Sequence, residues 1–237
     1  MNVLTKACAA MPLACMTLAG LSPSQPNHSS PRPIAISGML WFGWLGDNPA
    51  NVMHANGMAA QAFVNTFIAG GLAMLVLMFT DWVRVGKASM VGALTGVLAG
   101  LVAVTPAAGY VPTWAAAFIA LAAGWVCYGA THLRAARGWD DSLDVWGVHG
   151  VGGLLGSVLV GWFAYASVGG HNGLIAGDGR QFGLQLVGVA ITVTYAFGMS
   201  FAILKVIDLV STVHVPGKVQ IAGLDQELHG ETAYDLT

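Results

Sequence analysis

The sequence predicts an all-α integral membrane protein with about six transmembrane helices, and three observations carry that prediction. Only 8% of the 237 residues are charged, against 56% hydrophobic, whereas a soluble domain carries about a quarter charged residues to cover its surface. Asp, Glu, Lys and Arg are absent from 33–46, 48–80, 88–133, 145–177 and 181–204, and roughly 20 apolar residues suffice to cross a bilayer. The 32 glycines follow no G-X-Y period; they suit helices that pack closely through small residues. A net charge of −2 excludes electrostatic binding of nucleic acid.

The spans follow from the charge-free runs. We expect helices over about 33–47, 57–80, 88–106, 113–133, 145–167 and 183–208, the long central run being broken at Thr105-Pro106 through Val111-Pro112. The first is short, and the polar stretch beside it would complete it. With a cytoplasmic C-terminus, Lys6, Arg32, Arg84, Lys87, Arg134, Arg137, Lys205 and Lys218 fall inside and Arg180 outside, as the positive-inside bias requires. That bias argues against insertion in both directions. Trp82, Trp114, Trp139 and Trp146 sit near span ends, where indole favours the interface. Residues 1–30 are of another kind: a lysine, then an apolar small-residue run, then a Ser/Pro linker. They read equally as a signal-like leader or as an apolar tail. Residues 31–211 form the transmembrane domain, and 212–237 a cytoplasmic tail.

Gly92, Gly96 and Gly100, and Gly152 with Gly156, make small-xxx-small faces that predict close helix crossings. Asn65 and Thr66 are polar in mid-span, as interhelical hydrogen bonding explains. His149 is the sharper signal. It follows Asp144 by five residues, the acid being placed to open the helix as its N-cap, and 33 charge-free residues run on from Val145. Neutral imidazole both donates and accepts a hydrogen bond, which suits a small polar solute in an apolar pore. An ionisable group inside a span is by default functional; the plain alternative is a bond to a neighbouring carbonyl. His132 is expected at a helix end, and the remaining histidines in loops or tails. No His pair or Cys spacing suits a metal or a disulfide framework. Ser157 and Ser200 stand in no nucleophile elbow, so neither an enzyme nor a cofactor is expected.

Several stretches together resemble the ammonium transporter/Rh family: Gly43-Trp44-Leu45-Gly46, Ala62-Phe63-Val64-Asn65-Thr66, Gly86-Lys87-Ala88-Ser89, Ala99–Tyr110, Asp144-Val145-Trp146-Gly147-Val148-His149-Gly150 and Gly223–Tyr234. They run in the family's order from about residue 31 to the end and match its C-terminal half. The resemblance implies half of an eleven-helix fold built from two inverted halves, usually a trimer, that conducts ammonium or ammonia past two stacked histidines. On it, His149 is the second pore histidine, Asp144 the acid preceding it, and Trp44 and Val145 line the lumen. The helices that carry the family's first pore histidine, one gate phenylalanine and the recruiting tryptophan have no counterpart in these residues.

Where the family reads Gly-Phe-Asn-Ala-Gly-Ser, this chain reads Gly46-Asp47-Asn48-Pro49-Ala50-Asn51. Asp47 thus stands for the second gate phenylalanine and Asn51 for the recruiting serine, at an outer vestibule. The tail Gly223–Tyr234 is implied to pack under the pore and to answer a trimeric nitrogen-signalling regulator. Expected partners are therefore ammonium, the bilayer, and like or full-length subunits in the cell (inner) membrane. The alternatives are a non-conducting remnant or regulatory subunit joined to full-length transporters, and a channel for another small solute.

Overall fold

The computed structural model describes residues 32–231 except Ser142, Gly223, Asp225, Gln226 and His229. Its elements, in chain order, are α1 (Arg32–Ala50), α2 (Gly57–Val85), α3 (Met90–Val104), α4 (Thr113–Arg137), a π-turn (Trp146–Gly150) running into α5 (Val151–Phe163), a short α6 (Ala166–Gly169), α7 (Gly179–Asp208) and α8 (Gly217–Ala222). No strand occurs among the described residues. All six expected spans form helices. Gly57–Val85, Thr113–Arg137, Trp146–Phe163 and Gly179–Asp208 are long and apolar enough to cross a membrane. Met90–Val104 is a shorter apolar helix, about 22 Å at 1.5 Å per residue. α1 is completed by the polar Asp47-Asn48-Pro49-Ala50 turn.

Local chemistry sets the helix ends. The Asn56 side chain accepts from the Ala59 N–H at 3.0 Å and opens α2. The Ser89 hydroxyl accepts from the Gly92 N–H at 2.8 Å, opens α3, and donates to Asp81 at 2.7 Å. Such caps are worth about 1 kcal/mol each. α2 and α4 both end on glycines in the left-handed region, Gly86 (φ 78°) and Gly138 (φ 63°), where a Cβ would be strained. α3 stops at Thr105 because Pro106 has no N–H to continue the ladder.

The chain divides into two units, Met1–Val189 and Ala190–Thr237. In the first, α2 packs along α3, α4 and α1, α3 against α4 and α5, and α4 against α5 and the π-turn. The core is built of small residues: Ala69, Ala103, Ala107, Ala115, Ala116, Ala120 and Ala123 surround Ile119, Val104 and Val111. The glycine faces behave as expected. A Cβ on Gly100 would run into the Ala69 carbonyl, on Gly96 it would meet the Ala73 carbonyl oxygen at 2.7 Å, and on Gly156 it would run into Ala103. Backbones therefore touch, α3 against α2 and α5 against α3, as small-residue packing allows. α7 begins in this unit, its start capped by Asp178, whose Oδ1 accepts from the Gln181 N–H at 2.9 Å; Gln185 donates to the Ser157 carbonyl at 2.9 Å.

In the second unit α7 continues to Asp208, with Phe197 and Phe201 stacked at 6.4 Å and Lys205 over the Phe201 ring at 5.8 Å. Residues 1–30, with His28, Cys8 and Cys15, lie outside the described residues, as does most of Gly223–Tyr234.

Candidate functional site

The bundle has two distinct ends. Arg84 lies over the Tyr128 ring at 5.7 Å, so the C-terminal ends of α2 and α4 share one end. There Arg134 pairs with Asp144 at 2.6 Å, and Arg137 lies over Trp139. The opposite end carries the close of α1 and the turn after α3.

At that opposite end α1 turns a stripe inward, Ser37, Trp41, Trp44 and Asn48, at helical spacing. The Trp44 indole N–H donates to Thr105 Oγ1 at 2.8 Å. Asn48 Nδ2 donates to Thr66 Oγ1 at 2.9 Å and to Thr105 Oγ1 at 3.4 Å. Both hydroxyls in turn donate backwards along their own helices, Thr66 to the Ala62 carbonyl at 2.6 Å and Thr105 to the Leu101 carbonyl at 2.7 Å. Asn65 closes the turn broken by Pro106: its Nδ2 donates to the carbonyls of Ala108 (2.8 Å) and Val111 (2.9 Å). Gln61 braces it, donating to Asn65 Oδ1 and Thr113 Oγ1. Thr66 performs the expected interhelical role, accepting from Asn48 of α1, whereas Asn65 bonds the turn between α3 and α4 instead of a neighbouring helix.

Above this network opens a cavity of about 120 Å³, lined by Asp47, Asn48, Asn51, Thr105 and Tyr110 with apolar Val52 and Met58. Asp47 and Asn51 are thus brought together at its mouth, where Asn51 Nδ2 donates to the Asp47 carbonyl at 2.9 Å. Trp44 reaches from this level into the next. Its ring packs against a buried cluster of Leu98, Ala99, Val102, Cys127 and Val148.

Beside Val148 stands His149, 6% exposed, in the π-turn of Trp146–Gly150. Its imidazole makes no hydrogen bond with another described residue. Ser37 Oγ and Trp41 Nε1, lower on the α1 stripe, and Arg134 Nε at the other end of the bundle are buried atoms without a hydrogen-bond partner among the described residues. Val145 stands half-buried at the head of the π-turn.

One expectation is corrected. Asp144 does not cap the helix with its side chain. Asp141 does, accepting from the Val145 N–H at 2.9 Å with Oδ1 and from the Trp146 N–H at 2.8 Å with Oδ2. Asp144 adopts a left-handed conformation, φ 53°, which turns its carboxylate to Arg134. Spacing favoured Asp144 because a regular helix was assumed after it; the π-turn and the left-handed residue shift the cap three positions back. Sequence reasoning also missed Thr105 and Asn48 as the centre of the mouth network. Their partners are 57 and 18 residues away or more distant, so no local pattern marks them. His132 Nδ1 lies 2.9 Å from the Tyr128 carbonyl one turn back, near the helix end as expected. Among the described residues, no group of His, Cys, Asp and Glu is arranged to hold a metal ion.

Apolar helices, backbone-to-backbone crossings and a polar network beneath an open cavity define a multi-pass helical membrane protein. The Ammonium Transporter Family model matches residues 23–234, and the chain belongs to that family. It is 43% identical to the ammonium transporter of Aquifex aeolicus (strain VF5) over 201 residues, 84% of this chain and 47% of that protein. It is 40% identical to ammonium transporter Amt1 of Archaeoglobus fulgidus, covering 87% of this chain and 53% of the relative. Among solved structures, Candida albicans Mep2 superposes with a TM-score of 0.75 at 32% identity, over 81% of this chain and 44% of that one. The chain spans about half the length of the curated relatives it matches.

Proposed function

We propose that this chain supplies one half of an ammonium-conducting lumen. A cation gathers at the mouth beside Asp47 and Asn51 and, on passing the Trp44 level, gives up a proton to water at the mouth, so that ammonium becomes ammonia and hydronium returns to bulk. The neutral ammonia then passes His149, with Val145 lining the same passage. The observation that carries this reading is the buried side chain of His149, whose imidazole has no hydrogen-bond partner among the described residues, one level below the polar network of Trp44, Asn48, Thr66 and Thr105. A neutral imidazole there offers ammonia both a donor and an acceptor. The relatives are named ammonium transporters, which supports the same substrate for the whole protein.

A lumen between two inverted halves needs both, so conduction is assigned to this chain together with a complementary set of helices. Those helices come from a partner half or from full-length subunits, within a trimer. The reading places the Arg84–Arg134 end on the cytoplasmic side of the cell membrane, in keeping with the positive-inside bias. Gly223–Tyr234 is the segment we assign to contact with a nitrogen-signalling regulator.

The test is methylammonium flux in proteoliposomes, with this chain alone and co-reconstituted with the N-terminal half of a full-length relative. Flux above empty vesicles that His149→Ala abolishes is expected from the combined sample. No flux in either sample would sink the conducting reading. Co-purification with a full-length transporter whose flux it alters, without flux of its own, would put the regulatory-subunit reading in its place.

A further inference from the structure

The turn that carries His149 is held in two different ways. Along its side it meets α4 by contact: a Cβ on Gly147 would stand 2.8 Å from Thr131 Cγ2, and one on Gly152 3.0 Å from Cys127 Sγ. Such contacts limit how near the turn comes to α4, but a glycine has no side chain to bond, so they carry no directional hold. The Cys127 thiol reaches the Val148 carbonyl only at 4.0 Å. The head of the turn is bonded instead. Asp141 spends both carboxylate oxygens on consecutive N–H groups, Oδ1 on Val145 at 2.9 Å and Oδ2 on Trp146 at 2.8 Å, and a charged acceptor makes the stronger kind of hydrogen bond. Two N–H groups clasped by one side chain cannot rotate about the helix axis without losing one of the bonds. The Val148 N–H donates to the Asp144 carbonyl at 2.8 Å, and the Trp146 ring meets Trp139 edge to face at 5.1 Å. His149 follows Val145 by four residues, about one turn on, and its imidazole makes no hydrogen bond of its own with another described residue. The direction of that imidazole is therefore inherited from the backbone beneath it.

We propose that Asp141 is a positioning residue for His149: its two-oxygen clasp on Val145 and Trp146 fixes the rotation at which the π-turn begins, and with it the side of the turn from which the imidazole projects. The inference rests on the transport reading for what the imidazole does, and is independent of it for how the imidazole is held. A side chain with no bond of its own is aimed only as well as the backbone under it, and a functional group needs its aim kept to about 0.5 Å. Removing the clasp frees the head of the turn to rotate, which redirects His149 while the helices around it stay packed. The two acids before the turn thus divide the work. Asp144 ties the segment to α4 through Arg134, and Asp141 sets the turn itself.

The first measurement needs no flux: NMR of the full chain in nanodiscs, labelled in its histidine rings, with the His149 signals assigned by their loss in His149→Gln. We expect those signals to move or split in Asp141→Ala while the other histidine signals stay. Asp141→Asn, which keeps one of the two acceptors, gives a smaller displacement. If Asp141→Ala yields no folded protein, Asp141→Asn carries the same comparison. Ser89→Ala removes a helix cap of similar worth at α3 and is expected to leave His149 where it is. His149 signals unmoved by loss of the clasp, or moved as far by Ser89→Ala, would overturn the proposal. The second measurement is methylammonium flux of the chain co-reconstituted with the N-terminal half of a full-length relative. Turnover should fall about tenfold in Asp141→Ala, with the half-saturating concentration unchanged within about twofold. Signals that move while turnover holds would overturn the proposal as well. Displaced signals with no flux in any sample, wild type included, leave the positioning role standing and remove only the transport reading.

Discussion

Two levels of the bundle, the α1–α3 mouth and the π-turn beneath it, are built on opposite principles. At the mouth, Trp44, Asn48, Thr66 and Thr105 are held by five helix-bridging or backward hydrogen bonds, and no donor group among them is idle. One level in, His149 is equally buried yet bonds to nothing among the described residues. A connected hydrogen-bond network rigidifies the helices it joins; a side chain with no hydrogen bond ties nothing together. The difference teaches which level holds the helices in place through hydrogen bonds and which, on the reading proposed above, is left free for a solute.

The comparison breaks most completely at the helix crossing beneath both levels. Gly156→Val places methyl groups where the Ala103 backbone already stands, and we expect loss of the monodisperse species in fluorescence-detected size exclusion. Removing a brace of the mouth should cost less. Asn65→Leu deprives the buried carbonyls of Ala108 and Val111 of their donor, a loss of about 2–6 kcal/mol at about 1–3 kcal/mol per unsatisfied group, read as a lowered melting temperature. Thr105→Val orphans the Trp44 N–H and a bond of Asn48; about 1–3 kcal/mol is expected.

The sharpest contrast comes from His149→Ala. Flux should vanish while stability stays within about 1 kcal/mol, because no hydrogen bond is broken and a polar group is relieved of burial. A fall as large as that of Thr105→Val would mean that the two levels are not built differently. Smallest of all is the distinction between the two acids before the π-turn. Asp141→Ala removes two N–H acceptors and should cost about 1–2 kcal/mol. Asp144→Asn keeps a residue tolerant of left-handed backbone, loses only a partly exposed ion pair, and should cost about 1 kcal/mol or less.

Much of this was legible in the residues. Charge-free runs located six helices, Pro106 and Pro112 marked the break after α3, and the glycines at four-residue spacing named the crossings, because each signal is local and its cause is steric or dielectric. His149 stood out for the same reason: an ionisable group inside a span is costly wherever it sits. The mouth network was not legible. Asn48, Thr66 and Thr105 come from three helices, and only their tertiary approach separates them from any other polar residue near a span end. The capping acid was misassigned because a regular helix was the natural reading of Asp144 to Gly150, and nothing in composition announces a wider turn.

That wider turn has a consequence for chain length. A π-turn holds one residue more than the regular ladder, and each residue in a helix advances the phase by about 100°. The Asp141 clasp on one side of Trp146–Gly150 and the Gly152 and Gly156 contacts on the other are therefore in register only because of that surplus residue. Deleting the exposed Gly150 would return the stretch to ordinary pitch and swing one set of contacts about a quarter-turn from the other. At this point in the chain a change of length is more damaging than most changes of letter, and a scan of single deletions against single substitutions would display that asymmetry directly.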